Sequence, residues 1–138
     1  MNLAQILSDV NWLAVLTATV VAFMLGGLWY SKALFGTAWM QEVGLTEEAV
    51  NSANMAKTFG GTIVLQIVAA TALSAFLGAE STWKSGLHTG LWVGLFWLAT
   101  AYGVTYLFEQ RSLRLFLINA GYYVVLYAIM GTIIGAWH

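Results

Sequence analysis

Apolar residues dominate four stretches of the chain, 11–30, 55–78, 87–108 and 113–137, and polar residues gather between them. Each stretch is long enough for a helix across a hydrocarbon core of ~30 Å, which takes ~20 residues. None shows the apolar–polar alternation of a membrane β-barrel strand. The pattern predicts an all-α protein, with four transmembrane helices in a bundle forming a single domain over residues 1–138. The first stretch exceeds the ~7–15 residues of a signal-peptide core. Residues 1–10 also hold no Lys or Arg, so it is read as a retained span.

The polar gaps are unequal: 31–57, 79–86 and 109–112. In the first, Leu34, Phe35, Ala38 and Trp39 recur at helical spacing with Gln41 and Glu42 on the other side, between Gly36 and Gly44. This predicts a short amphipathic helix over about 33–43, lying in the membrane interface. Further on, Thr46 is positioned as an N-cap with Glu47 and Glu48 in the first turn, starting a helix expected to run on into span two. Cations at the span ends set the expected orientation. Lys32, Lys57, Arg111 and Arg114 fall on one side and Lys84 on the other, so both termini are expected outside.

Membrane helices associate by close packing through small residues. Span one has Ala14, Ala18, Ala22 and Gly26, each four apart; span three has Gly86, Gly90 and Gly94. Span two offers Ala70, Ser74 and Gly78, and span four Gly121, Ala128 and Gly135, with Gly131 nearby. These seams are read as packing within one bundle; in a second reading the span-three glycines pair with another subunit.

Span four also carries a polar stripe, Asn119, Tyr122, Tyr123 and Tyr127, opposite Gly121 and Ala128. Their polar atoms need partners, so the stripe should face the interior, a cavity or a second subunit. Gln66, Thr100, Tyr102, Asn119 and Tyr122 fall in the same half of the bilayer. They form either interhelical hydrogen bonds or the floor of a small polar pocket. Trp12, Trp83 and Trp137 mark one membrane boundary and Trp29, Tyr30 and Trp39 the other, whereas Trp92 and Trp97 lie deeper, as packing residues.

Composition agrees: 60% of residues are hydrophobic and 8% charged, against about 25% charged in a soluble domain. A net charge of −1 gives no reason to expect nucleic acid as a partner. With no cysteine, disulfides and thiolate metal sites are excluded, and without proline any helix break must come from glycine. His88 and His138 are the only histidines, and neither has a metal-ligand residue at i, i+4. No catalytic set, metal site or cofactor loop is expected. Glu80, Lys84 and His88 near the second loop are read as solvated. No Asp, Glu, Lys or Arg sits mid-span, which disfavours proton-coupled transport.

The segments NWLAVLTATVVAFMLGGLWYSKALFGTAWM (11–40) and LFLINAGYYVVLYAIMGTIIGAW (115–137) resemble a family of small bacterial four-span membrane proteins, catalogued as domain of unknown function number 1761. The likeness lies in Leu-Trp-Tyr-Ser, the following Leu-Phe-Gly and Ala-Trp-Met, and Ile-Asn-Ala-Gly-Tyr. Members often have proline after Tyr-Ser, where this chain has Lys32. The resemblance implies four spans in a bacterial inner membrane and brings no activity with it. The function expected is a non-enzymatic module binding membrane lipid, a small apolar molecule or a protein partner, as a homo-oligomer. The alternative is a small oligomeric transporter or channel, and a membrane enzyme ranks third.

Overall fold

The computed structural model describes residues 2–137, and His138, one of the two histidines, lies outside them. Four helices are long and apolar enough to cross a membrane: Trp12–Trp29, Met55–Leu77, Trp83–Glu109 and Leu113–Ala136. We call these spans one to four. Among the described residues there is no strand.

Each span begins on a polar side chain that closes its first turn. Asn11 accepts from the Ala14 amide at 3.1 Å, Asn54 from Lys57 at 3.1 Å, Thr82 from Ser85 at 3.2 Å and Ser112 from Leu115 at 3.0 Å. Amide groups at a helix start have no partner within the helix, and these caps supply one where apolar surroundings would not. Thr82 starts span three four residues earlier than its apolar pattern suggests, so Trp83 and Lys84 belong to its first turn. Gly78, at φ +76°, ends span two, and Gln110, at φ 58°, ends span three with the Arg111 amide bonded back to Tyr106.

Three short helices complete the chain. Helix α1 (Leu3–Asp9), which the apolar pattern does not reveal, starts on an Asn2–Gln5 capping box. Span one is α2. Helix α3 (Gly36–Val43) occupies most of the predicted interfacial segment and ends at Gly44, φ +76°. Thr46 does cap a helix, α4 (Glu47–Asn51), but that helix does not continue into span two. It stops at Ser52, because Asn54 turns its side chain to cap Lys57 and starts a new helix there.

Span four is the hub, contacting the other three spans, and Leu115, Leu126 and Met130 on it are almost fully buried. Span two packs mainly on span one. Span three meets span four along the glycine seam. A Cβ on Gly86 would lie 1.9 Å from the Gly131 carbonyl oxygen, and one on Gly90 2.0 Å from that of Tyr127. One on Gly135 would lie 2.3 Å from the Thr82 carbonyl oxygen. The span-three glycines are therefore occupied within the chain and are not free for a second subunit.

Beyond Gly94 span three changes character. Val93–Ala99 is a π-helical segment, which widens the turn without any proline, and glycine is one of its seven residues. After it, span three moves off the span-four backbone, and a Cβ on Gly103 would lie 3.4 Å from the Phe116 ring instead.

The outward faces are mainly apolar, with Leu13, Val20 and Met24 on span one and Leu65 and Val68 on span two exposed. Trp92 and Trp97 point outward, 65% and 62% exposed, and pack there on neighbouring rings, Phe96 at 4.6 Å and Phe76 at 6.0 Å. In water such a surface would drive aggregation; against lipid tails it has no such cost.

Candidate functional site: a phenol and amide layer between the spans

The site lies toward the end of the bundle that carries loops one and three. It starts at the exit from span one. The Phe35 amide donates to the Trp29 carbonyl at 3.0 Å and the Gly36 amide to that of Ser31 at 2.9 Å, folding the chain sharply back despite Lys32 in place of proline. A Cβ at Gly36 would lie 2.3 Å from the Tyr30 carbonyl oxygen, so this turn closes only around glycine. Glu42 of α3 then accepts from Ser112 at 2.6 Å and lies 3.7 Å from Arg114, which docks α3 against loop three. Lys32 pairs with Glu47, and Arg111 with Glu109 at 3.7 Å.

This turn aims Trp29 and Tyr30 inward rather than leaving them at the boundary. The Trp29 indole donates to the Ile118 carbonyl at 3.0 Å, and its ring lies 3.5 Å from where a Gly121 Cβ would be. Tyr122 makes the reciprocal move. Its hydroxyl lies 3.0 Å from where a Gly26 Cβ would be and donates to the Ala22 carbonyl at 3.3 Å. Gly26 and Gly121, read from sequence as members of backbone seams, instead leave room for aromatic rings from the facing helix. Gly121 thus faces span one, while Gly131 and Gly135 face span three.

Two hydrogen-bonded chains result. In one, the Gln66 amide of span two donates to the Tyr122 hydroxyl at 3.3 Å, which bonds on to Ala22, so three spans are joined. In the other, Tyr30 donates to the Asn119 side-chain oxygen Oδ1 at 2.7 Å, and the Asn119 side-chain Nδ2 donates to the Tyr106 hydroxyl at 2.7 Å. Rings fill the space around them: Tyr102 stacks on Tyr123 at 5.3 Å, Tyr122 meets Tyr123 at 5.0 Å, and Trp39 of α3 covers Tyr30 at 5.6 Å. Gln66 Oε1 is buried and has no donor among the described residues.

Of the polar residues singled out above, Gln66, Tyr102, Asn119, Tyr122 and Tyr123 come together. Thr100 does not: it is exposed and bonds to its own helix, at the Phe96 carbonyl. Tyr127 is half-buried against the apolar core. Sequence reasoning missed Tyr106 and cast Tyr30 and Trp29 as boundary anchors. Tyr106 is one helical turn from Tyr102, a signal that could have found it. No group of His, Asp and Glu able to hold a metal occurs among the described residues.

Helix composition, span lengths and an interior of interlocked phenols and amides define an all-helical bundle built to sit in apolar surroundings. Its four apolar helices are compatible with a multi-pass membrane protein. A family model described as "Protein of unknown function (DUF1761)" matches residues 13–135, and the chain belongs to that family. No curated protein and no solved structure matches it.

Proposed function

We propose that the protein is a non-enzymatic module of a bacterial inner membrane, binding lipid, a small apolar molecule or a protein partner presented by the bilayer. The observation that carries this reading is the use of the polar groups between the spans. Tyr30, Tyr106, Asn119, Tyr122 and Gln66 are engaged with one another and with backbone, and no Asp, Glu, Lys or Arg lies mid-span. Such a layer sets helix register at about 0.6 kcal/mol per bond.

Lys32, Lys57, Arg111 and Arg114 at the loop-one end, against Lys84 at the other, support both termini outside. Because the glycine seam is internal, a homo-oligomer would form through the apolar outer faces. Native mass spectrometry of the detergent-purified chain tests the reading: the expected result is more than one subunit carrying a copurified lipid or metabolite. A ligand-free monomer overturns it.

A small oligomeric transporter or channel is the second reading, favoured by the buried Gln66 Oε1 within the polar layer, which has no donor among the described residues. Liposome flux of a neutral solute that disappears in Asn119→Leu would replace the first reading with this one.

A further inference from the structure

At the opposite end of the bundle, where α1 meets the ends of spans two and four, there is a cavity of about 330 Å³. Its walls are largely apolar, with Ile6, Val10, Ile134 and Trp137 among them, and Asp9 and Ser74 also line it. Asp9 makes no ion pair among the described residues; its carboxylate only accepts from the neighbouring Ser8 hydroxyl at 3.4 Å. It also closes α1, whose dipole places negative potential at the same end. Lys84, a cation of this face, sits over the Trp83 ring and is not part of the lining. The Ser74 hydroxyl makes no hydrogen bond among the described residues. Trp137 is held at the cavity by the Asn11 side-chain amide, which donates to its carbonyl at 3.3 Å.

We propose that this cavity binds an ammonium group carried on an apolar tail. An unpaired carboxylate supplies the countercharge, and an indole face attracts a cation through its quadrupole. The apolar walls take the adjoining methylenes, and the volume falls within the range of small-molecule sites. A phosphate or carboxylate would meet Asp9 with no cation among the described lining residues to offset it. The cavity opens at the helix ends, at the depth where lipid headgroups lie, so the ammonium can come from a lipid headgroup or from a free hydrophobic amine. This assignment rests on the reading of the chain as a membrane binding module and names the chemistry one of its sites selects.

Calorimetric titration of the full chain in neutral detergent with tetrapropylammonium tests the site, beside native mass spectrometry in mixed phosphatidylethanolamine and phosphatidylglycerol. Saturable tetrapropylammonium binding is expected, weakened about tenfold by Asp9→Asn, which removes one charged partner. Trp137→Leu weakens it as well, with size-exclusion profiles of both variants unchanged. Retained phosphatidylethanolamine that tetrapropylammonium displaces identifies a lipid headgroup as the source; tetrapropylammonium binding without lipid preference identifies a free amine. Equal binding by Asp9→Asn, or none by the parent chain, overturns the proposal. Should the parent chain bind no ammonium yet copurify with another lipid, the cavity assignment falls and the module reading stands.

Discussion

The two halves of the bundle solve helix packing in opposite ways. Between the first half of span three and the second half of span four, side chains are removed: Gly86, Gly90, Gly131 and Gly135 let backbones touch. In the half toward loops one and three, the space opens and is filled with rings and their hydroxyls, from Tyr30, Tyr102, Tyr106, Tyr122 and Tyr123. The π-helical segment at Val93–Ala99 separates the two regimes on span three. Glycine appears in both, with different work. At Gly86 and Gly90 it admits a backbone, whereas at Gly26 and Gly121 it admits an aromatic ring. A backbone cannot move aside for a methyl group, while a ring can rotate. The first half should therefore be intolerant of any added atom and the second graded in its response.

The largest effect is expected from Gly90→Ala and Gly86→Ala, whose new methyl groups would overlap carbonyl oxygens at about 2 Å. Overpacking of this kind costs about 3 kcal/mol or more. Thermal unfolding in detergent should show a large drop, and unchanged stability would mean that spans three and four do not meet as described. Next comes Asn119→Leu, which strips partners from Tyr30 and Tyr106 together and should cost about 1–2 kcal/mol.

Tyr122→Phe removes the hydroxyl that donates to the Ala22 carbonyl and accepts from Gln66, Gly26→Ala crowds that same hydroxyl, and each should cost about 1 kcal/mol. Combined, they should cost less than their sum, because with the hydroxyl gone the methyl at position 26 has nothing to crowd. Full additivity in that double-mutant cycle would separate Gly26 from the phenol it is placed beside. The smallest effect belongs to Glu42→Gln. It weakens the hold of α3 on Ser112 and Arg114 by about 0.5 kcal/mol and less at high salt. Gly27→Ala, with open space around the new methyl, serves as the neutral reference within about 0.5 kcal/mol.

Much of this architecture was legible before the fold was seen, for a physical reason. A bilayer demands ~20 apolar residues per crossing, so the positions of the four spans follow from hydropathy alone. The turn at Gly44 and the cap at Thr46 follow from local backbone chemistry, which neighbouring residues decide. The start of span three was harder, because Trp83–Gly86 mixes aromatic, charged and small residues, and only the Thr82 cap marks it.

Which residue meets which partner was decided by tertiary structure. A four-residue spacing of glycines is the same string whether a backbone, a ring or a second subunit fills the groove. Gly26 and Gly86 differ only in what faces them. Likewise Thr100 and Tyr106 are both polar residues in span three, yet one turns back to its own helix and the other reaches Asn119. Helical periodicity sets the angle of a side chain about its own axis. It carries no information about the distance to the next helix, and here the π-helical turn in span three changed that distance halfway along.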